Sequence, residues 1–178
     1  MSKCNSNHFS GTTSLRNSTV HNPSESDIIA ERTKGMDLRP HPTKQMGSTR
    51  MKKVNQKVDA RTATKDEYHL LRHTERLNSR RAEGVAQFWN QERERILSGQ
   101  KTTRPWNAEQ REMILGKKPL KINGKTIYAH HTYAVSKYPH LANRGEVIFP
   151  VTFYEHLYIW HGGSFFKNAP GRPGKTSR

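Results

Sequence analysis

Cysteine is nearly missing: Cys4 is the only one in 178 residues. That excludes an intramolecular disulfide and any cysteine-rich zinc site. Large apolar residues are sparse too. Only 31% of the chain is hydrophobic and 8% aromatic, and the mean hydropathy is -0.98. No apolar run approaches the ~20 residues of a membrane span. The first residues, Met1 to Asn17, contain no apolar stretch of the kind a Sec signal peptide needs. Acidic residues are outnumbered, 15 against 31 Lys and Arg, for a formal net charge of +16. A balance of that sign favours a polyanion as partner: DNA, RNA or an anionic surface.

Residues 1–60 hold one aromatic, Phe9, among Ser, Thr, Asn, Lys and Pro. Such a stretch buries too little surface to offset its ordering entropy, so it reads as a flexible basic linker and disordered N-terminal segment. From Thr64 the pattern changes. Thr64-Lys65-Asp66-Glu67 fits a capping box. Tyr68, Leu71, Leu77, Val85, Phe88, Trp89, Ile96 and Leu97 then recur at helical spacing. This predicts a helical extension over 61–103, with Gly84 dividing it into two helices and Gly99 ending the second. The arginines of its polar face read as a solvated surface or as contacts to a nucleic-acid backbone.

The remainder, 104–178, predicts a small α+β domain. Asn107 caps a short helix that ends near Gly116. Asn123-Gly124 marks a tight turn. A strand follows from Lys125 towards Val135, broken after His131, then a loop over Tyr138–Arg144 and a second strand over Gly145–Val151. Thr152 to Glu155 is another capping signal, opening a helix to Trp160 that Gly162-Gly163 would stop. The tail beyond Lys167 reads as loop or disordered.

Histidines concentrate where these elements end. His130 and His131 are neighbours, and alternation along a strand turns neighbours to opposite faces, favouring one metal ligand and one water-polarising base over two ligands of one ion. His156 and His161 are five apart, about 140° around an ideal α-helix, which suits a shared ion only if the helix ends at Trp160. Isolated histidines are more often surface or hydrogen-bonded residues, so the spacing alone carries little.

The ordered series is more specific. Trp106-Asn107-Ala108-Glu109-Gln110, Ile114-Leu115-Gly116-Lys117, Ala129-His130-His131-Thr132-Tyr133, Tyr138-Pro139-His140-Leu141, Glu155-His156 and Trp160-His161-Gly162-Gly163 together resemble the GHH/AHH group of toxin nucleases. That group belongs to the HNH, or endonuclease VII-like, superfamily and typically forms the C-terminal part of bacterial polymorphic toxins. The resemblance spans roughly 104–173, with Ala129 standing where glycine is commoner.

It implies a ββα-metal core in which His130, His156 and His161 hold one divalent ion and His131 is the general base. Asn143 is the nearest counterpart of the asparagine in the HNH name, as a loop-orienting residue, and His140 is structural. Imidazole ligands suit Zn, Ni or Mn better than Mg. Lys125, Lys137 and Arg144 are candidates for backbone-phosphate contacts. The resemblance further implies DNA cleavage in a target bacterial cell, delivery by a carrier toxin machinery without a Sec signal, and a cognate immunity protein of acidic surface. An RNase of the same fold and a non-catalytic basic nucleic-acid-binding protein are the alternatives. The absence of a His-Glu-x-x-His helix argues against a metallopeptidase, and the lone cysteine against a zinc deaminase.

Overall fold

The computed structural model describes residues 23–174. Four α-helices run in order: α1 (Glu25–Arg32), α2 (Ser48–Asp59), α3 (Lys65–Leu97) and α4 (Ala108–Leu115). Strands β1 (Lys121–Ile122), β2 (Lys125–His131) and β3 (Ile148–Thr152) form an antiparallel sheet in the order β1-β2-β3. A π-helical segment, Glu155–Trp160, follows β3. No helix among the described residues is long and apolar enough to cross a membrane.

The long helix α3 is the spine. Its capping box is formed as the sequence predicts, with Thr64 and Glu67 each satisfying the other's backbone amide. Gly84 does not divide it. The helix runs unbroken for 33 residues, and Gly84 serves close approach instead. A Cβ there would lie 2.5 Å from the Ala142 carbonyl oxygen. Gly145 meets the same helix from the other side, where a Cβ would lie 2.6 Å from the Phe88 amide nitrogen. Two side-chain-free positions thus let the 142–145 loop lie flat on α3.

The main core joins Phe88 of α3 to Tyr133, Leu141, Val147, Ile148, Phe149, Val151 and Trp160, and includes Ile29 of α1. The expected boundary between 61–103 and 104–178 therefore falls inside one shared core. Buried Glu92 reinforces the join: it accepts hydrogen bonds from the Thr103 amide and hydroxyl and from Trp106 Nε1 at 2.7 Å. A carboxylate this deep needs several donors to offset its desolvation, and it has them.

Residues 23–60 also differ from the expected linker. Ser24 caps α1 through a complete capping box, Ile29 is fully buried, and Met46 and Val54 pack with Leu71. Arg32 threads its guanidinium under the sheet and donates to Thr103 Oγ1, Gln91 Oε1 and the carbonyls of Gly145 and Ile148. Burial, then the nearby charge of Arg95, lowers its pKa to about 10. The anchoring residues are few, so composition hides them, and their contacts lie far along the chain. The expectation for 1–22 lies outside the described residues.

Asn123 and Gly124 both take positive φ, 49° and 74°, which is the two-residue hairpin turn expected from their identity. The first strand ends at His131, as expected. The second begins only at Ile148, because Gly145–Val147 forms a 3-10 turn against α3. The tail after Lys167 is tied back by the Gly171 amide to Thr132 O at 3.0 Å and the Gly174 amide to Trp160 O at 3.1 Å.

Candidate metal centre and catalytic cleft

The end of β2 and the π segment converge on one point. His130 pairs with Phe149 across the sheet and is 5% exposed. Its ring centroid lies 4.7 Å from that of His156 and 5.0 Å from that of His161. One nitrogen from each of the three rings lies within 4.8 Å of the others, so a single small cation can reach all three.

The helical segment does end at Trp160, as the five-residue spacing of His156 and His161 required, with His161 as its C-cap, but it is a π-helix rather than the expected α-helix. It widens, and the His161 amide donates to the His156 carbonyl at 3.1 Å, an i to i+5 bond. Residues five apart then sit one above the other, and the two Nε2 atoms come within 3.2 Å. Single π turns of this kind occur often at functional sites. The capping pair is in place at the entry, where the Thr152 amide donates to Glu155 at 2.7 Å. Arg104 holds both carboxylate oxygens of Glu155 at 2.9 Å and also donates to the Pro150 carbonyl. Burial would raise the Glu155 pKa, but Arg104 and the Thr152 amide leave it below the ordinary value.

The electrostatics suit lone-pair donation. The His130 pKa is held well below its ordinary value, first by burial and then by the neighbouring imidazoles of His156, His161 and His131. Burial, then His161, lowers that of His156. Both rings are therefore neutral at neutral pH, the form that binds metal. His161 uses Nδ1 to donate to the Lys167 carbonyl, since a carbonyl only accepts, and Nε2 keeps the lone pair with which it could hold a metal ion. Such an outer bond to a metal-binding histidine fixes its tautomer and ring angle. Trp160 and Phe149 back the cluster with aromatic rings.

His131 is separate from this cluster yet lines the same cleft of about 520 Å³. Its Nε2 donates to the Ala142 carbonyl at 2.9 Å, leaving Nδ1 with the free lone pair. Burial lowers its pKa, the Ala142 bond opposes that, and Arg81 adds to the lowering.

The candidate phosphate contacts divide. Lys137 lines the cleft. Lys125 is at the far end of β2, about 20 Å of strand from His131. Arg144 lies outside the cleft lining and pairs with Glu146 at 3.5 Å. Asn143 does not face the histidines; its Oδ1 accepts from Arg80 at 2.9 Å, and the same Arg80 nitrogen holds the His140 carbonyl. That clamp pins the loop carrying Ala142. His140 itself bonds the Asp37 carbonyl at 2.9 Å. Sequence reasoning missed Arg81, Gln45, Phe165 and Phe166 as cleft residues. Arg81 stood among many helix arginines. Gln45 reaches the cleft because residues 41–43 are strapped to the Ser136 and Lys137 carbonyls.

Two antiparallel strands followed by a short helix, converging on a histidine cluster, define an HNH-like α+β nuclease core with helical N-terminal elements packed on it. Residues 71–152 match the family model for the GHH signature containing HNH/Endo VII superfamily nuclease toxin. The matched span takes in most of α3 and the His130-His131 pair and stops before His156 and His161. Among curated proteins, none matches the chain.

Proposed function

We propose that this nuclease toxin hydrolyses DNA phosphodiester bonds with one divalent ion held by His130, His156 and His161 and with His131 as general base. The observation that carries the reading is the meeting of three imidazoles within 4.8 Å, beside a fourth whose tautomer is set by Ala142. The donor set fits the group: neutral imidazoles, one with its outer nitrogen already bonded, suit Zn, Ni or Mn above Mg. A bound ion would offset charge on the phosphoryl oxygen and the departing oxygen.

The chain's own residues account for the rest. His131 Nδ1 takes the proton from the attacking water, and the lowered pKa keeps that nitrogen unprotonated at neutral pH. The Ala142 carbonyl holds the ring and stabilises the imidazolium that forms. Arg81 and Lys137, both on the cleft wall, supply positive charge for backbone phosphates without reading sequence.

The family implies a nucleic-acid substrate and an immunity protein as partner. With a net charge of +16, an acidic inhibitor surface is the complementary one. Delivery into a target bacterial cell by carrier toxin machinery completes the reading.

The test is plasmid nicking by the full chain with Mg, Mn, Ni or Zn, wild type against His131→Ala, alongside an RNA substrate. Metal-dependent DNA nicking lost in a folded His131→Ala protein supports the reading. RNA cleavage alone makes the toxin an RNase, and cleavage of neither makes it a basic binding protein.

A further inference from the structure

Phe166 is 101% exposed, and Phe165 beside it is 51% exposed. Both line the histidine cleft. An apolar ring held fully in water gains nothing from the fold, so its place at the mouth of a functional cleft calls for a ligand. Phe165 is fixed in position: its ring lies 5.2 Å from His156 and 5.3 Å from His161. Phe153, 56% exposed, continues the surface 6.4 Å from Phe165. The result is an aromatic shelf running directly from the imidazole cluster.

We propose that this shelf, with Phe166 at its outer edge, stacks an unpaired nucleobase adjacent to the phosphate being cut, so that the site takes single-stranded or locally melted nucleic acid in preference to intact duplex. The proposal rests on the nuclease reading above. The occupant follows from continuity and charge. The shelf adjoins the cleft proposed for the phosphate, Arg81 and Lys137 line that cleft, and a nucleotide presents an anionic backbone and a flat apolar base together. Stacking on aromatic side chains tolerates any sequence, because every base has a π face. In a closed duplex the base faces are already stacked on each other, and a ring reaches them only by prising a step apart.

The test uses full-length His131→Ala protein with divalent metal, a single-stranded oligonucleotide carrying 2-aminopurine, and a blunt duplex of the same sequence. Charge alone favours the duplex, whose phosphates are denser. Stacking predicts the reverse: about tenfold or more tighter binding of the single strand, with 2-aminopurine quenched on binding. Phe166→Ala, at a position with no packing to lose, should weaken single-strand binding by about tenfold and leave the duplex unchanged, and Phe166→Trp should restore it. Equal affinity for the two forms, or a single-strand affinity indifferent to Phe166→Ala, overturns the proposal while the nuclease reading stands. Binding of neither form overturns both.

Discussion

His131 is tied through Nε2 to the carbonyl of Ala142 at 2.9 Å, and Ala142 sits on a loop pressed onto Gly84 of the long helix. The proposed base is thus oriented by a helix more than forty residues earlier in the chain. Replacing His131 by Ala should reduce cleavage by about 10²- to 10⁴-fold, the usual contribution of a positioned base, with metal binding kept. His130→Ala should lose both. Plasmid nicking and metal titration on the same preparations separate the two roles.

Gly84→Ala tests the loop. The added methyl gains roughly 1 kcal/mol of helix propensity. It meets the Ala142 oxygen at 2.5 Å, and displacing packed backbone costs about 1–3 kcal/mol. The expected outcome is a lower melting temperature and a larger fractional loss of activity. An unchanged cleavage rate would show that the Ala142 contact does not position His131.

Metal removal should act on stability as well as activity. An ion that binds only the folded chain adds about 2.7 kcal/mol when present at 100 times its dissociation constant. Thermal melts with and without chelator should differ by several degrees in the wild type. The difference should vanish in His156→Ala and His161→Ala.

Arg32→Met removes a buried guanidinium that donates to Thr103, Gln91, Gly145 and Ile148. Leaving those acceptors without a donor should cost about 3 kcal/mol or more by denaturant titration. For the same reason residues 104–178 expressed alone should fail to give a cooperative melt, because Phe88 and Ile29 leave the core with the deleted part. A sharp transition in the fragment would restore the boundary read from sequence.

Asp37 makes the strap that carries Gln45 sensitive to acid. Its carboxyl is held well below the ordinary value by hydrogen bonds from the Arg39 side chain and backbone. A depressed carboxyl contributes fully above its unfolded pKa, about 4, and the contribution disappears as pH falls through the folded value. Exchange protection of the His41 and Thr43 amides, which bond Lys137 and Ser136, should therefore decline below about pH 4. In Asp37→Asn that part of the acid dependence should be absent.

What the sequence determined by itself is local. The caps at Thr64 and Asn107, the Asn123-Gly124 turn and the end of the strand at His131 follow from hydrogen-bonding groups and dihedral preferences within a few residues. The histidine series could be read in the same way, because motif order survives without coordinates. Tertiary structure decided the rest. Gly84 has the residue identity of a helix break, and only the loop lying on it makes it a contact point inside one helix. Residues 23–60 carry too few apolar side chains to announce a fold, yet Ile29 and Arg32 are buried because the core supplies the surface and the acceptors. His156 and His161 are misaligned on the α-helix that their spacing suggests. The chain winds one residue wider between them, and Arg104 and the Lys167 carbonyl, neither of them in a motif that the sequence singled out, hold that turn and the His161 ring in place.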